Sequence, residues 1–318
     1  MSTVAIIGCG NHVIKNILPV FDKLKWEIKY IVVRDVKKYS DIGISDTLID
    51  DISIALADDS VDFIYIATPI STHYQYAKNA LSQSFNVICE KPVAVTAVEL
   101  ADLNQISKIM GCNLYQVEMY KYHKQFLKLK EILASGSYGD LKQATFSFKI
   151  PHLVPSDIRY VPAKAGGALH DVGFYPISAA ISLFPEAKLQ YSFCQSEPGY
   201  SVNLHGVALL TVSSGVIVNC QWSIGSCYEN KIVLDFPAHR IVVDRAFSKP
   251  PTLNSVLHIY TSNGDKTIIE TGNDDQFFNM FSHIESNAKS CSDMAPMIDK
   301  TIEIMEAIFQ EYNSKGAT

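Results

Sequence analysis

One lysine in the sequence has a type and setting suited to proton transfer at a carbonyl group. Lys91 lies in the tripeptide Glu90-Lys91-Pro92, directly after the apolar run 87–89. A lysine at the carboxyl end of a parallel strand faces the crevice where such sheets bind ligands. A partly desolvated ammonium group there can donate a proton or stabilise a developing alkoxide. We therefore predict Lys91 as a catalytic residue, and this chemistry suits the reduction of a ketone.

A second pair of chemically active side chains follows a glycine-rich stretch. Asp171 and Tyr175 are four positions apart, just after Gly166-Gly167. In a helix this spacing places both side chains on one face, where they can address one substrate. A tyrosine can act as a general acid beside a lysine, because the positive charge favours the phenolate that proton donation leaves.

A short glycine-rich turn predicts a dinucleotide site. Gly8-Cys9-Gly10 follows the apolar run 4–7 and begins a helical pattern, the context in which helix amides bind a pyrophosphate. Gly8 permits the tight turn, and Gly10 lets the backbone approach the phosphates. Val13 occupies the third fingerprint position in place of Gly or Ala, so we expect the helix to pack slightly farther from the strand. A plain strand-to-helix turn is the alternative interpretation.

The end of the second apolar run bears on the choice of cofactor. NAD enzymes place a carboxylate here for the ribose hydroxyl, whereas NADP enzymes often place an arginine for the 2'-phosphate. Val33 occupies the usual acidic position, and Arg34 follows it. We therefore favour NADP(H), while Asp35 leaves NAD(H) open. A solvated charge at a strand end is the alternative interpretation of Arg34.

The hydrophobic pattern predicts the elements that position these residues. Up to residue 118, short apolar runs alternate with helical patterns, which is typical of a doubly wound parallel sheet. The predicted strands are 4–7, 28–33, 63–66, 87–89 and 113–117, and the predicted helices are 13–24, 52–57, 73–82 and 97–110. We predict an α/β fold that begins with a Rossmann domain.

Beyond a bridging helix at 122–134, longer alternating runs predict antiparallel strands. These runs are 141–150, 204–212, 216–222, 231–236 and 256–260, with hairpin turns at 213–215 and 262–265 and final helices at 275–288 and 295–312. We predict domains at 1–118 and 119–318, the second an α+β domain with a mostly antiparallel open sheet. The last helix is a candidate to pack back on the first domain.

Composition excludes several classes of protein. The net charge is −6 and no Lys/Arg-rich run is present, so nucleic acid is not an expected partner. The seven cysteines lack C-x-x-C spacing and are expected to be reduced, and no metal site is predicted. The N-terminus lacks a signal-peptide pattern, and no apolar run approaches the about 18 residues that span a bilayer. We expect a cytoplasmic protein without membrane contact.

Several segments together resemble one family of oxidoreductases. The segments are, in order, Gly8-x-Gly10, Ala67-Thr68-Pro69 with His73, residues 89–92, Gly136-x-x-Gly139, and residues 166–175. In this order and spacing they resemble the glucose-fructose oxidoreductase and inositol dehydrogenase family, called Gfo/Idh/MocA. The resemblance covers essentially the whole chain. It implies a nicotinamide-dependent enzyme, a cis bond before Pro92, and a homodimer or homotetramer paired through the open sheet.

The resemblance also implies roles for particular residues. Cofactor binding is expected of Gly8, Gly10, Asn11, His12, Arg34, Thr68, Pro69, His73 and Glu90. Tyr120 and Arg159 are candidates to line the substrate pocket. We expect Tyr175 to donate a proton to the carbonyl, Lys91 to orient it or stabilise charge, and Asp171 to position a sugar hydroxyl. The reverse assignment, with Lys91 as the acid, stays open.

Tyr175 narrows the expected substrate. Many family members have histidine at this position, and tyrosine is typical of a subgroup that includes dihydrodiol dehydrogenases and nucleotide-sugar 3-ketoreductases. With Arg34 and the segment 243–251, the sequence favours an NADPH-dependent ketoreductase of a nucleotide-linked deoxysugar. The alternatives are a dehydrogenase of free aldoses, inositols or dihydrodiols, and a non-catalytic nucleotide-sensing regulator.

Overall fold

The chain folds as two compact units. The computed structural model describes residues 1–42, 47–288 and 295–314. Unit 1 contains Met1–Glu118 and Phe277–Ala295, and unit 2 contains Met119–Gln276 and Pro296–Thr318. The chain therefore returns to unit 1 late in the sequence, through its penultimate helix, whereas the last helix belongs to unit 2.

Unit 1 is built on a six-stranded parallel sheet with the order β3-β2-β1-β4-β5-β6. This is the doubly wound order, in which the switch point lies between β1 and β4. The strands are β1 Thr3–Ile7, β2 Glu27–Val32, β3 Leu48–Ile49, β4 Phe63–Ile66, β5 Asn86–Cys89 and β6 Leu114–Gln116. The predicted Rossmann fold is confirmed, and the short strand β3 is an addition to it.

Capping residues fix both ends of the longest helix that lies wholly in unit 1, α4. Thr96 accepts the backbone N–H of Glu99 at 3.1 Å and begins α4, which ends at Gly111 with a φ of +66°. Before α1, the chain makes a π-helical turn at Val13–Ile17. The helices are α1 Leu18–Leu24, α2 Ile52–Leu56, α3 His73–Leu81, α4 Ala97–Met110 and the returning α7 Gln276–Asn287.

The returning helix α7 closes an aromatic core in unit 1. Phe281 lies edge-on to Phe21, with ring centroids 4.8 Å apart, and also contacts Trp26 and Tyr65. Trp26 stacks between Phe21 and Phe63, at 5.0 and 5.1 Å. Such pairs add stability beyond the apolar area that they bury. The late segment is thus an integral part of unit 1.

Unit 2 is built on an eight-stranded sheet with the order β14-β13-β12-β11-β7-β10-β9-β8. Neighbouring strands are antiparallel except β7 and β10, which are parallel, so the predicted mostly antiparallel sheet is confirmed. The strands are β7 Gln143–Ile150, β8 Lys188–Gln195, β9 His205–Thr211, β10 Ile217–Ile224, β11 Glu229–Asp235, β12 His239–Asp244, β13 Ser255–Thr261 and β14 Lys266–Gly272. Strands β8, β12 and β14 are additions to the prediction.

The helices of unit 2 are α5 Lys124–Ser135, α6 Phe174–Leu183 and α8 Ala295–Ser314. A second π-helical turn, Leu169–Gly173, leads into α6. Buried side chains of α5, α6 and α8 pack with the sheet in one core that includes Phe126, Phe174 and Met305. The segment with Asp171 and Tyr175 is helical, as predicted, but its first turn is wider than an α-helical one.

Within residues 1–42, 47–288 and 295–314, no helix is long and apolar enough to cross a bilayer. Cys9, Cys89, Cys112 and Cys220 are buried. Cys291 lies outside the described residues.

Candidate active site

The glycine-rich turn after β1 lies against the end of β4. Gly8 has a φ of +93°, and a Cβ added to it would lie 2.7 Å from the carbonyl oxygen of Ala67. Gly8 is therefore required both for its backbone conformation and for its close packing. At Gly10, by contrast, an added Cβ would meet no protein atom within 4 Å. Gly10 and Asn11 are exposed at the start of the first helical turn, with room for a ligand against their backbone.

A polar network joins the glycine-rich turn to the end of β5. Asn16 donates from Nδ2 to His12 Nδ1 at 3.0 Å, so the proton of a neutral His12 lies on Nε2. That Nε2 lies 3.0 Å from Glu90 Oε1, which also accepts the hydroxyl of Tyr65 at 2.6 Å. Burial alone would raise the pKa of Glu90, but His12, Tyr65 and the charge of Lys91 together lower it. Glu90 is thus a carboxylate held beside the turn.

His73 ties together two loops at the carboxyl edge of the sheet. Its Nδ1 lies 2.8 Å from the carbonyl oxygen of Pro92, and its Nε2 lies 2.8 Å from that of Thr68. Only 1% of His73 is exposed, and this burial lowers its pKa, while its hydrogen bonds to the two carbonyls oppose that effect. Since it is enclosed, His73 acts on the neighbouring loops and does not present a free edge to a ligand.

Lys91 follows β5 and is largely enclosed. Its exposed fraction is 9%, and the bond between Lys91 and Pro92 is cis, as the resemblance implied. Thr68 and Pro69 follow β4 and are partly exposed. The structure thus brings the predicted residues that follow β1, β4 and β5 to the carboxyl edge of one sheet, where these three strands are neighbours.

A pocket of about 300 Å³ follows β2 and is lined by Arg34, Asp35, Lys38 and Tyr39. Asp35 Oδ1 accepts the backbone N–H of Lys37 at 3.1 Å, which orders the turn. The turn places the Lys38 ammonium near the same pocket as Arg34, with its Nζ 5.7 Å from the Tyr39 ring centre. Two cations around one pocket suit a phosphate group. Lys38 was not expected from the sequence, because only the turn after Arg34 brings it there.

In unit 2, Asp171 and Arg159 form an ion pair. Arg159 donates from Nε to Asp171 Oδ2 at 2.5 Å and from Nη1 to Asp157 Oδ1 at 3.2 Å. The carboxylate of Asp171, above all, raises the pKa of Arg159. Asp171 lies in the π-helical turn before α6, a distortion that is frequent at functional sites. Two residues predicted for different roles are thus joined.

Tyr175 lies among aromatic rings at the start of α6. Phe148 of β7 contacts it edge-on at 5.3 Å, and Tyr120 lies 6.1 Å away. Tyr120 itself is fully buried, and its hydroxyl lies 2.7 Å from Ser178 Oγ. The structure therefore places Tyr120 in the core behind Tyr175. Tyr120 was predicted to line the substrate pocket, but it has no exposed surface in this structure.

The fold and these residues define a class of protein. A doubly wound sheet with a glycine-rich turn at its switch point, a cationic pocket after β2 and a lysine after β5 is the arrangement of a nicotinamide-dependent oxidoreductase. Unit 2 adds a tyrosine and an ion-paired carboxylate four residues apart on one helical segment.

Comparison with known proteins assigns the family. Residues 2–119 match the oxidoreductase family with an NAD-binding Rossmann fold, GFO/IDH/MocA, and residues 126–244 match the GFO/IDH/MocA C-terminal domain. The chain belongs to this family. It is an NAD(P)-dependent oxidoreductase, as the sequence predicted, of the class that interconverts CH–OH and C=O groups.

Two curated relatives have named activities. The chain is 30% identical over 223 residues to dTDP-3,4-didehydro-2,6-dideoxy-alpha-D-glucose 3-reductase of Streptomyces antibioticus, which covers 70% of this chain and 68% of the relative. It is 28% identical over 272 residues to D-xylose 1-dehydrogenase (NADP(+)) 2 of Haloferax volcanii, which covers 84% and 82%.

A solved structure shares the whole fold. It is KijD10, a 3-ketoreductase from Actinomadura kijaniata in complex with NADP and TDP-benzene, with a TM-score of 0.92, 24% identity, and coverage of 97% of both chains.

Proposed function

We propose that this protein is an NADP(H)-dependent ketoreductase that acts on a nucleotide-linked deoxysugar with a keto group at C3. The observation that carries the proposal is Tyr175, four residues after the ion-paired Asp171 on the helical segment 169–183 of unit 2. A phenol donates a proton, and a fixed carboxylate accepts a hydrogen bond from a sugar hydroxyl. Together they suit a sugar carbonyl.

The residues of unit 1 fit a nicotinamide dinucleotide. Gly10 leaves its backbone open to a pyrophosphate, and it lies with the exposed Asn11 at the start of the first helix, the end of a helix that binds phosphates. The pocket lined by Arg34 and Lys38 suits the adenosine 2'-phosphate, which favours NADP(H) over NAD(H). The NADP-bound state of the KijD10 structure supports the same choice.

The roles of the side chains follow from their chemistry. The cofactor supplies the hydride that reduces the carbonyl carbon. Tyr175 donates its hydroxyl proton to the carbonyl oxygen, so that a C–H and an O–H bond form as the C=O π bond is lost. Lys91 stabilises the negative charge that develops on that oxygen or on Tyr175. Asp171 positions a sugar hydroxyl. Lys91 as the proton donor is the alternative assignment.

The substrate class rests on the relatives and on the acidic-plus-phenolic site. The Streptomyces relative is named for reduction at C3 of a dTDP-linked keto sugar, and KijD10 was solved with a TDP derivative. The xylose dehydrogenase favours a second candidate, oxidation of a free aldose with NADP. Both functions use the same acid–base residue, which donates a proton in the reduction and accepts one in the oxidation, and they differ in whether a nucleotide is bound beside the sugar.

We also propose that the protein is a homodimer or homotetramer that pairs through the outer face of the unit 2 sheet. In β8 the side chains of Tyr191 and Phe193 are 51% and 44% exposed, and Ile217 of β10 is 50% exposed. Apolar side chains concentrated on one sheet face favour contact with another protein surface.

A panel of substrates tests the proposal. NADPH or NADH consumption is measured with dTDP-3,4-didehydro-2,6-dideoxy-α-D-glucose, and NADP⁺ or NAD⁺ reduction is measured with D-xylose and with inositol. The proposal expects turnover with NADPH and the dTDP-sugar. Turnover with D-xylose alone would support the second candidate, and no turnover with any of them would contradict both. In the active pair, Lys91→Ala should abolish turnover and leave NADPH affinity nearly unchanged.

A further inference from the structure

Phe247 extends from outside the helical segment to contact Tyr175. Its ring centre lies 5.9 Å from that of Tyr175 at an angle of 32°, and 5.7 Å from that of Phe148. Phe247 is fully buried. With Phe148 edge-on at 5.3 Å, the Tyr175 ring is therefore bounded by a ring from strand β7 and a ring from the segment that follows β12.

Asn230 holds the segment that carries Phe247. The Oδ1 atom of Asn230 accepts the backbone N–H of Phe247 at 2.8 Å, and its Nδ2 donates to the carbonyl of Ser248 at 2.9 Å. Its backbone carbonyl accepts the N–H of Ala246 at 3.3 Å. Only 4% of Asn230 is exposed. One buried amide thus fixes the backbone on both sides of the Phe247 side chain.

Two further features hold the same segment, residues 245–249. Arg245 has a φ of +54°, a left-handed conformation that is uncommon for a residue with a side chain. Lys249 is 7% exposed and donates from Nζ to Gln125 Oε1 at 2.8 Å and to the carbonyl of Ala246 at 3.1 Å. Desolvation lowers the pKa of Lys249 to about 7.

Packing alone does not explain why Asn230 and Lys249 are buried around the segment 245–249. A buried ammonium group and a buried amide each lose hydration, and an apolar core of similar volume would serve packing alone at least as well. What these groups provide is one defined backbone conformation, at the position where Phe247 meets Tyr175. Polar groups that fix a single arrangement are expected where geometry matters for function.

We infer that Phe247 is a positioning residue for Tyr175, and that Asn230 is what holds Phe247 in place. The inference rests on the proposed function, in which Tyr175 donates the proton. The Phe247 ring limits the swing of the Tyr175 side chain about its Cα–Cβ bond, so that the hydroxyl oxygen is held in one place. A misplacement of about 1 Å at a reacting group can slow a reaction by as much as about 100-fold. Loss of Phe247 should therefore reduce kcat and leave substrate binding nearly intact.

The chain offers a matched control for this test. Phe146 lies on β7, two residues before Phe148, and is also fully buried, but its ring contact is with Phe184, at 6.5 Å. Phe247→Leu and Phe146→Leu remove the same atoms from the same core. Asn230→Ala is a third variant, which acts on Tyr175 only through the segment that it holds. Thermal unfolding establishes that each variant is folded, and Phe247→Met replaces Phe247→Leu where the latter is not.

The measurements are kcat and KM for NADPH and for dTDP-3,4-didehydro-2,6-dideoxy-α-D-glucose, with D-xylose and NADP⁺ as the pair if the wild type oxidises that sugar instead. We expect Phe247→Leu and Asn230→Ala to lower kcat about 10-fold or more, with each KM within about twofold of the wild type, and Phe146→Leu to keep kcat. Equal kcat losses in Phe247→Leu and Phe146→Leu would overturn the inference, as would an unchanged kcat in Phe247→Leu.

Tyr175→Phe separates this inference from the function on which it rests. If Tyr175→Phe is inactive while Phe247→Leu is fully active, Tyr175 is the donor but Phe247 does not position it. If Tyr175→Phe retains full activity, Tyr175 is not the donor and the inference fails, while the reductase function stands with Lys91 as the donor. If the wild type turns over neither sugar, the proposed function fails and the inference fails with it.

Discussion

Arg159 donates its Nε hydrogen to Asp171 Oδ2 at 2.5 Å, which joins the 3-10 turn Ile158–Tyr160 to the π-helical turn before α6. The guanidinium thus fixes the orientation of the Asp171 carboxylate. Charge-assisted hydrogen bonds of this kind are short and specific in geometry. Arg159 thus serves the proposed site through Asp171, and its predicted contact with substrate stays a prediction.

Arg159→Lys should weaken substrate binding, because a lysine keeps the charge but not the planar guanidinium that fixes Asp171. We expect kcat/KM for the sugar to fall about 10-fold, mostly through KM, with NADPH affinity unchanged. Arg240→Lys is the matched control, since Arg240 makes an equivalent 2.5 Å bond from Nε to Asp235 on another part of the sheet. An equal loss of kcat/KM in both variants would contradict a role of Arg159 in substrate binding through Asp171.

Gly8→Ala should lower stability, whereas Gly10→Ala should weaken NADPH binding. At Gly8 an added Cβ would lie 2.7 Å from Ala67 O at a φ of +93°, so we expect a lower Tm. The left-handed conformation alone costs a non-glycine residue about 1–2 kcal/mol. At Gly10 nothing lies within 4 Å, so Tm should be retained while NADPH binds more weakly. Thermal unfolding with and without NADPH measures both. Unchanged NADPH affinity in Gly10→Ala would contradict the assigned pyrophosphate site.

Arg34→Ala and Lys38→Ala should each reduce the preference for NADPH over NADH. A lost charge-assisted hydrogen bond to a phosphate costs about 1.5–3 kcal/mol, so kcat/KM for NADPH should fall about 10-fold or more while that for NADH is retained. Lys37→Ala is the control, because Lys37 is a neighbouring cation that does not line the pocket. Parallel losses with NADPH and NADH would show that the pocket does not bind the 2'-phosphate.

His123 should make the protein less stable in mild acid. It begins α5 by accepting the N–H of Gln125 at 3.0 Å, and desolvation lowers its pKa to about 4, from the ordinary histidine value of about 6.5. Between these pH values the unfolded chain binds a proton that the folded chain does not, so stability is lost as pH falls. His123→Asn keeps a helix-capping acceptor and removes the titration.

Urea unfolding at about pH 7 and about pH 5 tests this effect. The wild type should lose about 2 kcal/mol more than His123→Asn between the two conditions. The same pH dependence in both proteins would show that His123 titrates alike in the folded and unfolded chains.

The sequence predicted unit 1 well because its signals are local. Strands β1, β4 and β5 are largely apolar runs, and Gly8 and the Glu90-Lys91-Pro92 tripeptide directly follow two of them, so that the fold itself brings them to one edge of the sheet. Strand β3 was missed because it has only two residues, Leu48–Ile49. Lys38 was missed because its approach to the pocket depends on a 3-10 turn that the pattern does not indicate.

Unit 2 was harder to predict because its apolar residues do not all face the core. In β8 Ser192 is buried, while its neighbours Tyr191 and Phe193 are exposed, which inverts the expected pattern. The link between Asn230 and Phe247 joins residues 17 positions apart, through the pairing of β11 with β12. Contacts of this kind depend on the register between paired strands. Where no recognisable hairpin turn sets that register, it cannot be read from one sequence.

The central claim is that hydride passes from NADPH to C3 of a nucleotide-linked keto sugar. The most direct test incubates the enzyme with dTDP-3,4-didehydro-2,6-dideoxy-α-D-glucose and NADPH deuterated on either face of C4, and locates deuterium in the product by NMR. The account predicts deuterium at C3 from one of the two labelled cofactors, and none with Tyr175→Phe. Deuterium at another carbon, or no transfer from either labelled NADPH, would contradict it.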